Sequence, residues 1–249
     1  FSSKEVLIQF LSERYGGDVR KLNAAWRLGT DEALTGFEDL HRPIRSAASR
    51  SDCAREDLTL FTRRMIERYV SIPSEACKRV DPHHLNLGMR WAWIGQDALY
   101  EGSHHFDVFS INSYSDDPAA QIRRVGERSG RPVMIGEFHH GGLDRGLPGN
   151  GIRGVRTQEE RARAYRHYVQ CAAAEPHSVG VHYFTLADQP LLGRFDGENY
   201  QIGMVDVCHH PYQEFAEEVR RTNHHIPVIL GGGAALESAV QDSSASVAF

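Results

Sequence analysis

The sequence predicts an α/β protein built from parallel strand–helix units, with a (β/α)8 barrel favoured over a doubly wound sheet. Three observations carry this. After residue 84 the rhythm of the chain changes, and short β-rich runs alternate with amphipathic helical segments. The candidate strands alternate by face and gather polar residues toward their C-terminal ends. That pattern suits a barrel with its active mouth there, whereas an open parallel sheet reads as near-continuous apolar runs. Finally, 249 residues, 41% of them hydrophobic, suffice for one sizeable domain.

The front third reads as helical. Val6, Leu7, Phe10 and Leu11 make one face of a first helix, ended by Gly16-Gly17, and Val19, Leu22 and Trp26 mark a second. Leu58, Phe61, Met65 and Tyr69 recur at helical spacing, and Pro73 is expected to stop that third helix. Strands are expected over 85–91, 106–114, 132–138 and 179–186. In the first, Leu85, Leu87, Met89 and Trp91 oppose Asn86, Gly88 and Arg90. In the second, Ser110, Asn112 and Tyr114 oppose Phe109 and Ile111. In the third, a two-residue period puts Val133, Ile135, Glu137 and His139 on one face. Between the strands lie helical segments at 94–101, 119–129 and 158–174. The last carries Thr157 and Glu160 as a capping box and turns Tyr165, Tyr168, Val169 and Ala172 inward. A final helix spans 212–221. Residues 227–249 are Gly/Ala/Ser-rich and are expected to be a flexible tail, leaving 1–226 as the domain.

The run "RPVMIGEFHH", 131–140, stops on Glu137. A carboxylate at a strand end either pairs with an arginine or is delivered to a catalytic mouth. Other strand ends add Arg90, Tyr114, Tyr183 and Asp188, so polar and aromatic groups converge. Glycoside hydrolysis fits such a set. A retaining enzyme needs an ionised carboxylate nucleophile and a second carboxyl group about 5–5.5 Å away as acid/base. Donors around the nucleophile keep it charged, and Tyr114 is one. Tyr183 is either a platform for a sugar ring or a core residue.

A net charge of −5 with no basic stripe argues against a nucleic-acid partner, and no apolar run reaches the length of a membrane span. Cys53, Cys77, Cys171 and Cys208 form no C-x-x-C pair and read as buried free thiols. The histidine twins at 83–84, 104–105, 139–140, 209–210 and 224–225 are poor chelators, because neighbours on a strand point to opposite faces. Glu137 and His139 sharing a face leaves a metal-dependent barrel hydrolase as an alternative, although no cofactor or metal is expected. The glycine stretch after residue 140 lacks Gly-Lys-Ser/Thr. It reads as a cleft-shaping loop in which Gly141, Gly142 and Gly146 permit positive φ.

Two stretches, "MIGEFHHGGLDRGLPGNG" and "VGVHYFTLADQPLLGRFDGENYQIGMVDV", resemble the C-terminal half of β-agarase-type glycoside hydrolases of the retaining (β/α)8-barrel clan. "RYGGDVRKLNAAW" is similar to the segment that follows the acid/base strand in that clan. The resemblance implies that the strands here are about strands five to eight of a TIM barrel, an incomplete fragment whose partner is the missing N-terminal half. It places Glu137 at the nucleophile position, Tyr114 at a tyrosine that contacts it, and Tyr183 where the family has a tryptophan. Asp188, Arg194, Asp196, Glu198 and Asn199 would line the sugar cleft, with Arg90, Asn112 and His139 as further substrate-binding candidates. The implied substrate is an oligo- or polysaccharide such as agarose. The clan's acid/base glutamate follows an asparagine, and no Asn-Glu dipeptide occurs in the chain. The isolated chain is therefore expected to be inactive, and a non-catalytic carbohydrate-binding partial barrel is the other alternative. The compartment stays open, and secretion or a periplasmic location is compatible with the resemblance.

Overall fold

Helical spacing of apolar residues builds the front of the chain, and strand–helix alternation builds the rest. The computed structural model describes residues 2–235 and divides the chain into two compact units. Phe1–Pro73 with Gly95–Gly102 form one, and Ser74–Ile94 with Ser103–Phe249 the other, where the sequence predicts a single domain over 1–226.

In the first unit, α1 (Ser2–Arg14) buries Ile8 and Leu11, while Val6, expected on that face, is 41% exposed. Helix α2 (Val19–Trp26) opens on Asp18, whose carboxylate accepts the Arg20 N–H at 3.1 Å, and buries Leu22 and Trp26. These residues pack with Leu40 and Ala54 in one core. Helix α3 (Asp52–Val80), whose residues after Pro73 belong to the second unit, does not stop at that proline but runs through it. A proline removes one intrahelical bond. Burial of Val70 and Ser71 before it and of Ser74 after it anchors the helix on both sides and outweighs that loss.

The inward stripe of α3 includes a charge. Asp57 is wholly buried and accepts from Tyr15 Oη at 2.5 Å, from Trp26 Nε1 at 2.8 Å and from Arg14 Nε. One carboxylate thus ties α1 and α2 to α3. Asp57→Ala strands buried donors and should cost about 2 kcal/mol of stability. Denaturant unfolding followed by circular dichroism checks this, and Asp57→Asn, which keeps an acceptor, should lose less.

In the second unit, the described residues form a three-stranded parallel sheet in the order β1 (Phe109–Asn112), β2 (Val133–Phe138), β3 (Ser178–Tyr183). Helix α4 (Ala119–Ser129) joins β1 to β2, and α5 (Gln158–Ala174) joins β2 to β3. At the start of α5 the Thr157 hydroxyl accepts the Glu160 N–H at 3.2 Å. Glu160 reaches back to the Arg156 N–H at 2.8 Å, one residue upstream of its expected capping-box partner. Tyr165, Tyr168, Val169 and Ala172 are buried, as their spacing predicts. Helix α6 (Gln213–Leu230) carries on past 221, so 227–230 belong to it rather than to a tail, and 236–249 lie outside the described residues.

Three further expectations fail. Residues 85–91 do not form a strand, and Leu85 is 66% exposed. Gly88 and Arg90 adopt left-handed φ values of 79° and 49°, which break the pleat, and the Asn86 side chain takes the Gly88 N–H at 3.0 Å in a local turn. Of this segment, Trp91 still bridges to Ile111 beside β1. The thiols are free but not buried: Cys53, Cys77 and Cys208 are exposed and Cys171 is half-buried. Residues 94–101 contain a 3-10 turn, Asp97–Tyr100, in place of a full helix.

Candidate active site

The end of β2 is irregular, and this irregularity sets the direction of Glu137. On one side Ile111 pairs with Ile135, but the next residue, Asn112, pairs with Glu137. On the other side Ile135 pairs with Val181, while Phe138 pairs with Tyr183. Strand β2 therefore holds one residue more than either neighbour over the same span, a bulge at Gly136–Glu137. Paired residues share a face, so Ile135 and Phe138 lie together and Glu137 lies opposite them with Asn112. The expected grouping of Val133, Ile135 and Glu137 on one face is thus corrected by the bulge. Phe138 turns to α5, where its ring stacks on Tyr168 at 4.0 Å. Gly136 faces Arg90 so closely that a Cβ there would sit 2.7 Å from the arginine Cγ.

On the Glu137 face each carboxylate oxygen has its own donor. The Tyr114 hydroxyl donates to Oε1 and the Arg90 guanidinium to Oε2, and Arg90 also reaches Asn112 Oδ1 at 3.3 Å. The Glu137 side chain is 18% exposed and that of Arg90 53%. Burial, and then the Glu137 charge, push the Tyr114 hydroxyl well above its ordinary range, so it stays a donor. Glu137 thus pairs with an arginine and still opens to solvent. Such a group is suited to nucleophilic attack or to stabilising a developing cation.

His139 is buried and is not a solvated loop residue. Its Nε2 accepts the Ile152 N–H at 2.9 Å, and its ring meets Tyr114 edge-on at 4.7 Å. Burial drives its pKa down to about 3 and that of buried His140 to about 4, so both are neutral. His139 Nε2 is thus committed to the backbone. In the loop that follows, Gly146 and Gly151 have positive φ, but Gly141 and Gly142 do not. Gly141 is needed for closeness instead, because a Cβ would lie 2.2 Å from Asn150 O. Arg153 of this loop donates to the Tyr114 carbonyl and braces it from behind.

The segment 188–199 divides in two. Asp188 is buried, accepting the Gly203 N–H at 2.7 Å and the Tyr212 hydroxyl, and burial raises its pKa. Arg194 pairs with Asp196 and, at 3.2 Å, with Glu198, which also accepts from Gln189 Nε2 at 2.8 Å. Asp196 and Glu198 therefore hold the loop together, and Asn199 is half-buried beside them. The loop lies within electrostatic reach of the site: the Glu198 charge acts on Tyr114, and the Glu137 charge on Arg194. Tyr183 lies on the Phe138 face, away from Glu137. Its hydroxyl donates to His140 O and accepts from Arg161, both at 2.8 Å, and its ring meets Phe138 and Phe215 at 5.2 and 5.5 Å. Of the predicted set, Arg90, Asn112, Tyr114, Glu137 and His139 come together, whereas Tyr183 and Asp188 are built into the packing.

Known proteins resemble this chain in sequence and fold. Over 231 residues the chain is 33% identical to β-agarase A of Vibrio sp. (strain JT0107), a match covering 89% of this chain and 22% of that protein. Over 229 residues it is 29% identical to β-agarase B of the same strain, covering 90% and 23%. An exo-β-agarase of known structure superposes with a TM-score of 0.84 at 29% identity, covering 93% of this chain and 31% of that one. The chain matches part of a β-agarase. It spans less than a quarter of the curated relatives' length, and no protein-family model matches it.

Sequence reasoning missed two residues of this region. Phe184, next after Tyr183, alternates onto the other face, with its ring 6.2 Å from His139. The resemblance points to Tyr183, and the alternation of strand faces was the signal that separates the two rings. Arg161 is wholly buried on α5 and donates to the carbonyls of His140 (2.7 Å), Ile202 (2.5 Å) and Gly203 (2.6 Å), to Gln158 and to Tyr183. Nothing local distinguishes it from the other arginines of its helix.

Proposed function

We propose that this β-agarase-like chain supplies about strands five to eight of a (β/α)8 barrel in a retaining glycoside hydrolase. The substrate class is an agarose-type polysaccharide, cleaved at β-galactosidic linkages, with Glu137 as nucleophile. The observation that supports this reading is the Glu137 carboxylate with one donor on each oxygen, on a face shared by Tyr114, Arg90 and Asn112. In the first step a Glu137 oxygen bonds to C1 as the glycosidic C–O bond breaks. The departing oxygen takes a proton from an acid/base group that this chain does not contain. Water then hydrolyses the glycosyl ester and restores the carboxylate. Tyr114 and Arg90 hold the charge in place before attack. Phe184, rather than Tyr183, is the ring set for a sugar face, and Arg194 reaches the cleft from a loop braced by Asp196 and Glu198.

General acid assistance is typically worth ~10²–10⁴-fold, so the isolated chain should turn over agarose negligibly. A 2-deoxy-2-fluoro-β-galactosyl donor tests the assignment in the longer protein that contains this region. Peptide mass analysis should find the sugar esterified to Glu137. A label on another carboxylate, or inverted products from natural substrate, would refute it.

A further inference from the structure

Three residues unconnected with the Glu137 carboxylate bring metal-ligating atoms together. Asp117 lies between Tyr114 and α4, and His167 and Cys171 lie one turn apart on α5. A carboxylate oxygen, an imidazole nitrogen and the sulfur are all within 4.8 Å of one another. We propose that Asp117, His167 and Cys171 form a zinc-type site that fastens the Tyr114 segment to α5.

Residues four apart on a helix share a face, so His167 and Cys171 present N and S to one point. The sulfur lies 3.8 and 3.7 Å from the two ring nitrogens, long for a hydrogen bond. Zn–S and Zn–N bonds of ~2.3 and ~2.0 Å in a tetrahedron imply an S···N edge of ~3.5 Å, close to these separations, and a turn of the imidazole that aims one nitrogen at the sulfur's side seats the ion. His167 and Cys171 are half-buried, and Asp117 is exposed. The soft ligands are thus sheltered, and the carboxylate side stays open to a fourth ligand such as water. Asp117 is already oriented: its Oδ1 accepts the Ala119 N–H at 2.8 Å, and its carbonyl accepts from Ser115 Oγ at 2.9 Å. A set with one thiolate favours zinc over magnesium or calcium. The neighbouring Tyr168 hydroxyl donates to Ser113 O at 2.9 Å, so an ion here would be a second tie between α5 and the segment that carries Tyr114.

The test uses the chain with Cys53→Ser, Cys77→Ser and Cys208→Ser, which leaves Cys171 as its sole thiol. Titration with cobalt(II) should show one equivalent bound with a sulfur-to-cobalt charge-transfer band, displaced by zinc, and zinc should raise Tm. Cys171→Ser should abolish the band, and the exposed-site change Asp117→Asn should weaken zinc binding at least tenfold. Absence of the band in the triple-serine chain overturns the assignment. So does zinc affinity in Cys171→Ser within twofold of its parent.

Discussion

Replacing Glu137 with glutamine in the longer protein that contains this region is expected to lower kcat by roughly 10³-fold or more, with substrate binding largely kept. The amide has the carboxylate's shape and still offers an oxygen to Tyr114, but it is a poor nucleophile. Arg90 loses its countercharge, yet its side chain is 53% exposed, so water replaces the partner and stability changes little. Glu137→Ala adds a sharper measurement. Azide in the vacated space should restore turnover of an activated galactoside and yield the glycosyl azide of inverted configuration. Hydrolysis by Glu137→Gln within tenfold of the parent rate would remove Glu137 from the chemistry.

The largest effect on stability is expected at Arg161, away from the Glu137 face. Arg161→Met keeps much of the side chain's volume but leaves the carbonyls of His140, Ile202 and Gly203 and the Tyr183 hydroxyl short of a donor. Breaking a buried charged network of this kind should cost about 4 kcal/mol. For a chain of this size that lowers Tm by ~10 °C, measurable by thermal circular dichroism. Arg161→Lys should recover little, because one ammonium cannot serve acceptors that a planar fork reaches together. The guanidinium also lies 4.0 Å from the Phe215 ring centroid, a contact that Met keeps only as packing. A loss below about 1 kcal/mol in Arg161→Met would mean that these carbonyls find other donors.

Several elements were legible because their causes are local. Helices α2, α4 and α5 fall on the residues predicted for them, since capping and periodicity act over three or four residues. The strand that delivers Glu137 was legible from its apolar run between Pro132 and the glycine loop. Failures occurred where a distant contact or a local turn overrode the pattern. Pro73 was read as a stop, but packing on both sides carries the helix through. Residues 85–91 alternate like a strand, yet their backbone turns left-handed at Gly88 and Arg90.

By itself, the sequence determined that a carboxylate closes a buried parallel strand, which helices flank that strand, and which glycosidases the chain resembles. Only the tertiary structure decided where the side chains point. The bulge in β2 turns Glu137 away from Ile135 and toward Tyr114 and Arg90. Register is set by pairing between strands far apart in the chain, and one extra residue reverses every face beyond it. The same reason hid Arg161, whose acceptors lie about 20 and 40 residues away and become its partners only when the chain folds.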